Sequence, residues 1–67
     1  MTARYHVTYY YLATGMEGLA QEEDYGVVLA KDKDEAKDIA ARQRHPTMKE
    51  QDIEWVKGCL TAKRCLA

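Results

Sequence analysis

The clearest alternation along the chain runs through residues 4–13 (RYHVTYYYLA). Tyr, Val and Thr dominate it, and β-branched and aromatic side chains suit a pleated surface. Period two puts Tyr5, Val7, Tyr9 and Tyr11 on one face and His6, Thr8, Tyr10 and Leu12 on the other. The first face is more uniformly apolar and is expected to meet the core. Gly15 and Gly18, three apart, predict a turn or loop after this strand. A second strand is expected over residues 25–30 (YGVVLA). Its consecutive Val27, Val28 and Leu29 fit either burial on both faces or a bulge at Gly26. The connection has little helical character, so the two strands are expected to pair antiparallel.

The pattern then changes period. Asp32, with Glu35 three residues on, reads as a capping box: the Asp32 carboxylate takes an amide of the first turn and Glu35 reaches back to the cap amide. Asp34 and Glu35 favour the positive end of the helix dipole. Ala36, Ile39, Ala40 and Gln43 mark a narrow face at i, i+3, i+4 and i+7. Arg42, Arg44 and His45 suit its C-terminal end, and Pro46 stops the helix at His45. Two alanines on that face let the helix lie close to a sheet.

The last third reads two ways. Thr47 and Glu50 form a second box, and Ile53, Val56 and Leu60, or Trp55, Cys59, Ala62 and Leu66, have helical spacing. Residues 53–57 also alternate, with Gly58 as a bulge and residues 59–63 continuing a strand. A hairpin needs a further partner for independent stability. That favours a third strand over residues 53–63 and an α+β domain of order β-β-α-β, an antiparallel sheet with one helix on one face. The alternative is a helical 47–63 segment, β-β-α-α.

Composition narrows the class. Sixty-seven residues allow one small domain, 46% hydrophobic and 31% charged, with net charge −1. Apolar content is too high for obligate disorder, and near-neutrality gives no general attraction to nucleic acid or anionic lipid. No apolar run approaches the ~20 residues needed to cross a bilayer, so no membrane partner is expected. Residues 1–6 lack the apolar core of a secretion signal. Two cysteines, Cys59 and Cys65, are fewer than a stapled secreted domain carries. Both are expected as reduced thiols in the cytoplasm, filling apolar space.

Candidate chemistry is thin. Exposed tyrosines can stack unpaired bases, and Tyr9, Tyr10 and Tyr11 beside Arg4, Lys63 and Arg64 form a candidate binding set. Yet Arg4 is the sole Lys or Arg before Lys31, and with no Phe in the chain tyrosine must also serve as the large core residue. Gly15-Met16-Glu17-Gly18 has the form of a phosphate-tracking loop, but follows a strand and carries a repelling Glu17. His6, His45, Cys59 and Cys65 lack the tight pair typical of zinc, and Asp32-x-Asp34 lacks the later residues of a calcium loop. No metal or other cofactor is expected. A catalytic thiol needs a neighbouring base, and Lys57, Lys63 and Arg64 are near the cysteines only in sequence.

Charge is segregated: acids alone from Glu17 to Asp24, bases alone from Lys57 onwards. Opposed patches steer a partner or align two copies. The expectation is a non-catalytic interaction module binding another protein or itself. A weak single-stranded nucleic-acid binder is the alternative, and a small thiol-dependent enzyme a distant third.

Overall fold

A computed structural model describes residues 1–12 and 20–65, with the side chains at 11, 12, 20 and 21 outside that description. The element order is β1 (Ala3–Leu12), β2 (Ala20–Ala30), α1 (Lys33–Arg44), α2 (Glu50–Gly58) and β3 (Leu60–Arg64). The strands form one antiparallel sheet of order β2-β1-β3. The glycine turn expected at 15–18, Glu17 and Leu66 lie outside the described residues. The α+β class, the antiparallel sheet and the helical layer on one face are as the pattern predicts.

The ambiguous last third contains both of the structures its pattern allows. Residues 50–58 are helix and residues 60–64 are strand, so the third strand expected over 53–63 is shorter and the order is β-β-α-α-β. Burial explains the helix. Ile53 and Val56 are buried while Trp55 is exposed, and a strand would have put Ile53 and Trp55 on the same face. Glu50 and Asp52 lie in the positive first turn. Gly58 is the last helical residue and not a bulge. The expected Thr47 cap is not used: Lys49 is the cap residue, with no side-chain bond. What anchors this helix is its neighbour. The Arg42 guanidinium grips Glu50 through two bonds (2.5 and 2.8 Å), and Lys57 reaches Asp38 (3.3 Å).

The first helix starts as its sequence dictates. The Glu35 N–H donates to Asp32 Oδ1 (2.8 Å). The return bond differs from expectation: Glu35 Oε1 accepts from the Lys31 N–H (3.2 Å), one residue before the cap. The His45 N–H donates to the Ala41 carbonyl (2.9 Å) and closes the helix just before Pro46. The buried face is Ala36, Ala40 and Ala41, with Ile39 half-buried. Gln43, expected on that face, is exposed; Ala41 takes the space nearer the sheet.

The core lies between the helices and one face of the sheet. It joins Tyr5, Val7, Val28, Ala30, Leu60 and Ala62 to Ala36, Ala40, Ala41, Ile53 and Val56. Five of these eleven residues are alanine, so the helical layer sits close to the strands and the buried apolar payload is small. Tyr5 is buried as expected and Tyr9 is half-buried against the same cluster. Tyr11 pairs with Gln21 in the ladder; the packing of its side chain falls outside the described residues.

Candidate functional site: the uncovered face of the sheet

The helices leave the other face of the sheet bare, and strand register determines what it displays. Four rows cross it: Leu29 beside Arg4; Val27, His6 and Lys63; Asp24, Thr8 and Thr61; Glu22 beside Tyr10. Val27 and Leu29 are 57% and 62% exposed, and Tyr10 is 42% exposed. Burial of Val27-Val28-Leu29 on both sides is therefore not what occurs; Val28 alone faces the core.

The composition of this face depends on a bulge. The ladder shifts between Val7 and Thr8: Val7 pairs with Gly26, Thr8 with Asp24, and Tyr25 is the extra residue. Gly26 has φ +91°, a conformation that side-chain-bearing residues rarely adopt. One extra residue reverses the alternation beyond it. Asp24 and Glu22 thus reach the bare face, while Tyr25 and Glu23 turn towards the helices. Asp24 secures the bulge by accepting from the Gly26 N–H (2.7 Å) and from His6 Nε2 (2.9 Å). Those bonds, the backbone one first, hold its carboxyl below the usual aspartate range. A hydrogen bond to Glu22 raises the Tyr10 hydroxyl above its usual value.

Of the six residues the sequence nominates for binding, the register puts Arg4, Tyr10 and Lys63 on the bare face. Tyr9 belongs to the helix side, Arg64 is paired with Tyr5 on that side, and the Tyr11 side chain is outside the description. Among the described residues, Arg4 and Lys63 have no ion-pair partner. Lys57, the third base of the expected basic patch, is taken up by Asp38 and Glu54. A trough of about 480 Å³ crosses the face, lined by His6, Thr8, Tyr10, Glu22, Thr61, Lys63, Ala62 and Lys33. Val27, Leu29 and His6 are the components that sequence reasoning did not assign to this site. The alternation of β1 already sets His6 on the face opposite Tyr5 and Val7, and its antiparallel pairing with residues 25–30 was the signal that would have added Val27 and Leu29.

The helix side holds a second group of polar and aromatic residues. Tyr9 stacks on Tyr25 (5.7 Å between ring centres, 13° between planes). The Tyr25 hydroxyl is hydrogen-bonded to His45 Nε2 (2.9 Å), and the Arg44 guanidinium lies 5.2 Å from the Tyr25 ring centre while pairing with Glu23. Burial and a hydrogen bond to the Cys59 thiol raise the Tyr9 hydroxyl. These bonds tie β1, β2 and the ends of both helices together, and the tyrosines here serve the packing role that an absence of Phe requires. Cys59 and Cys65 are free. They flank a five-residue strand, so their backbones are about 20 Å apart, far beyond the reach of a disulfide. Among the described residues, no three His, Cys, Asp or Glu side chains converge as a metal would need, and no helix is long and apolar enough to cross a membrane. Comparisons with protein-family models, curated proteins and solved structures gave no match to this chain.

Proposed function

We propose that this protein is a non-catalytic, cytoplasmic interaction module that docks a partner polypeptide on the bare face of its sheet. The observation that carries this reading is the grouping of Val27 and Leu29, both more than half exposed, on a face that no layer covers among the described residues. A sheet face normally meets a second layer, and exposed apolar side chains grouped on one surface mark contact sites. The strand edges are poorer candidates. The bulge and acidic residues blunt β2, while β3 is short and carries Lys63 and Arg64; both devices discourage edge pairing. Free thiols at Cys59 and Cys65 fit a reducing compartment.

The alternative, single-stranded nucleic-acid binding, draws support from Arg4, Tyr10 and Lys63 sharing the face. Asp24 and Glu22 on the same face oppose it, since they repel phosphates. A photoreactive residue at Leu29, compared with one at the exposed Gln43 on α1, tests both readings in cells. A protein adduct from position 29 and none from position 43 supports docking on this face. An RNA or DNA adduct that weakens with salt supports the alternative, and no adduct at position 29 overturns the proposal.

A further inference from the structure

We infer that the partner docked on the bare face is a second copy of this chain, packed face to face with the strands of the two sheets crossing at near right angles. This rests on the docking reading above and adds the identity of the occupant. The argument is the charge map of the face. Cations stand on β1 and β3 towards one end, Arg4 and Lys63, and carboxylates stand on β2 towards the other, Asp24 and Glu22. Lys63 and Arg4 are unpaired among the described residues, Asp24 is already held by His6 and the Gly26 N–H, and the partner of Glu22 is the neutral Tyr10 hydroxyl, which leaves Glu22 as the carboxylate most open to a second copy. The face therefore offers both signs of charge at separate corners, and a net charge of −1 gives little repulsion between copies.

Register tells which arrangement satisfies those corners. Neighbouring strands are about 4.8 Å apart, and successive same-face residues about 6.7 Å apart. Aligned packing about an axis across the strands sets Leu29 and Val27 against the partner's carboxylates. Aligned packing about an axis along the strands sets Val27 against its Lys63. Orthogonal packing is the other common geometry of stacked sheets. A twofold along one diagonal of the face then brings the carboxylate corner of each copy over Lys63 of the other. The same operation places Val27 beside its own symmetry mate, with Leu29 flanking it, so the apolar group is sealed at the axis. The opposite diagonal stacks carboxylate on carboxylate. A twofold makes each contact twice.

The face measures about 33 by 14 Å from its strand lengths and spacings, and two such faces crossed at right angles overlap over about 14 by 14 Å. That is well below the ~800 Å² per partner of a standard stable interface, so the dimer is expected to be weak, with a dissociation constant on the order of 100 µM.

Sedimentation equilibrium of the full chain under reducing conditions, from about 5 to about 500 µM, tests the inference. The expected result is a reversible monomer–dimer equilibrium that Leu29→Lys abolishes. Glu22→Lys and Lys63→Glu are each expected to weaken it about tenfold, since every broken pair is lost twice, and the double swap is expected to restore it. All three positions border solvent, and circular dichroism of each variant checks that it folds. A chain monomeric at about 500 µM overturns the self-association; a protein adduct of different mass at position 29 would then leave docking on this face standing. A dimer indifferent to Leu29→Lys and to the charge swaps overturns the assigned geometry.

Discussion

Asp32 and Gly26 each have one local task. The Asp32 carboxylate satisfies an amide that the first turn of α1 would otherwise leave free. Asp32→Ala is expected to lower unfolding free energy by about 1 kcal/mol, with Asp32→Asn retaining most of it, as urea denaturation would measure. Gly26 has open space where a Cβ would stand, so a clash is not what restricts it. Its φ of +91° is. Gly26→Ala is expected to cost about 1–3 kcal/mol through backbone strain alone, and Gly26→Val more. A fully stable Gly26→Val protein would show that the strand does not need this conformation. Such residues were readable in the sequence because their signals are local: a carboxylate three residues before an amide, a glycine interrupting a β-branched run, a proline behind a helix. Thr47 was misleading for the same reason. It has the right spacing from Glu50, but α2 starts too late for its hydroxyl to act as the cap and is secured instead by Arg42, eight residues back in sequence.

At the level of elements, the two helices are held by different means. The first presents alanines, which contribute little apolar area but allow close approach. The second presents Ile53 and Val56 and is bound to the first through Arg42–Glu50 and Lys57–Asp38. Ile53 is among the largest fully buried side chains, and Ile53→Ala is expected to cost about 2–5 kcal/mol. Against a core this small, thermal melting should show a broad, early transition or no folded baseline. Ala40→Leu should also destabilise, by about 1–3 kcal/mol, because the sheet leaves no room beneath it. β1 and α1 were legible because each follows one period over ten or more residues; β2 was legible only over residues 25–30 of Ala20–Ala30, because the extra residue at Tyr25 breaks its alternation. Residues 50–64 were not, because a nine-residue helix and a five-residue strand are each barely longer than the window in which a period can be recognised. Ile53 and Trp55 alternate as a strand would, and their opposite burial becomes apparent only when α1 is in place.

Across the whole molecule, carboxylates on both layers respond to acid in the same sense. The Gly26 N–H and His6 hold Asp24 below its ordinary value of 3.8; Arg42 does the same for Asp38, and Arg42 again holds Glu50 below 4.5. A carboxylate whose pKa is lower in the folded chain stabilises folding above its unfolded value, and that contribution is lost as pH falls through the folded one. Stability is therefore expected to be steady from neutrality down to about pH 5 and to decline below it, with Asp24→Asn and Glu50→Gln flattening the decline. A stability that rose on acidification would contradict these bonds. At this scale the candidate docking face was the least legible feature. The sequence supplied its residues, including Arg4, Tyr10 and Lys63, but their grouping follows from a strand order that brings residues 22, 10 and 63 onto a common surface, and from the side on which each emerges.

The additional residue at Tyr25 has a genetic corollary. Loss of that one codon would leave Gly26 opposite Val7 and Asp24 opposite Thr8, so the carboxylates would keep their side and the chain would lose only the kink and one aromatic ring. Loss of Glu23 or Asp24 alone, with the kink retained, would instead set Glu22 opposite Tyr9 and carry its charge to the oily interior. In this stretch, sequence drift should therefore tolerate a missing codon at Tyr25 far better than one at either of those neighbours.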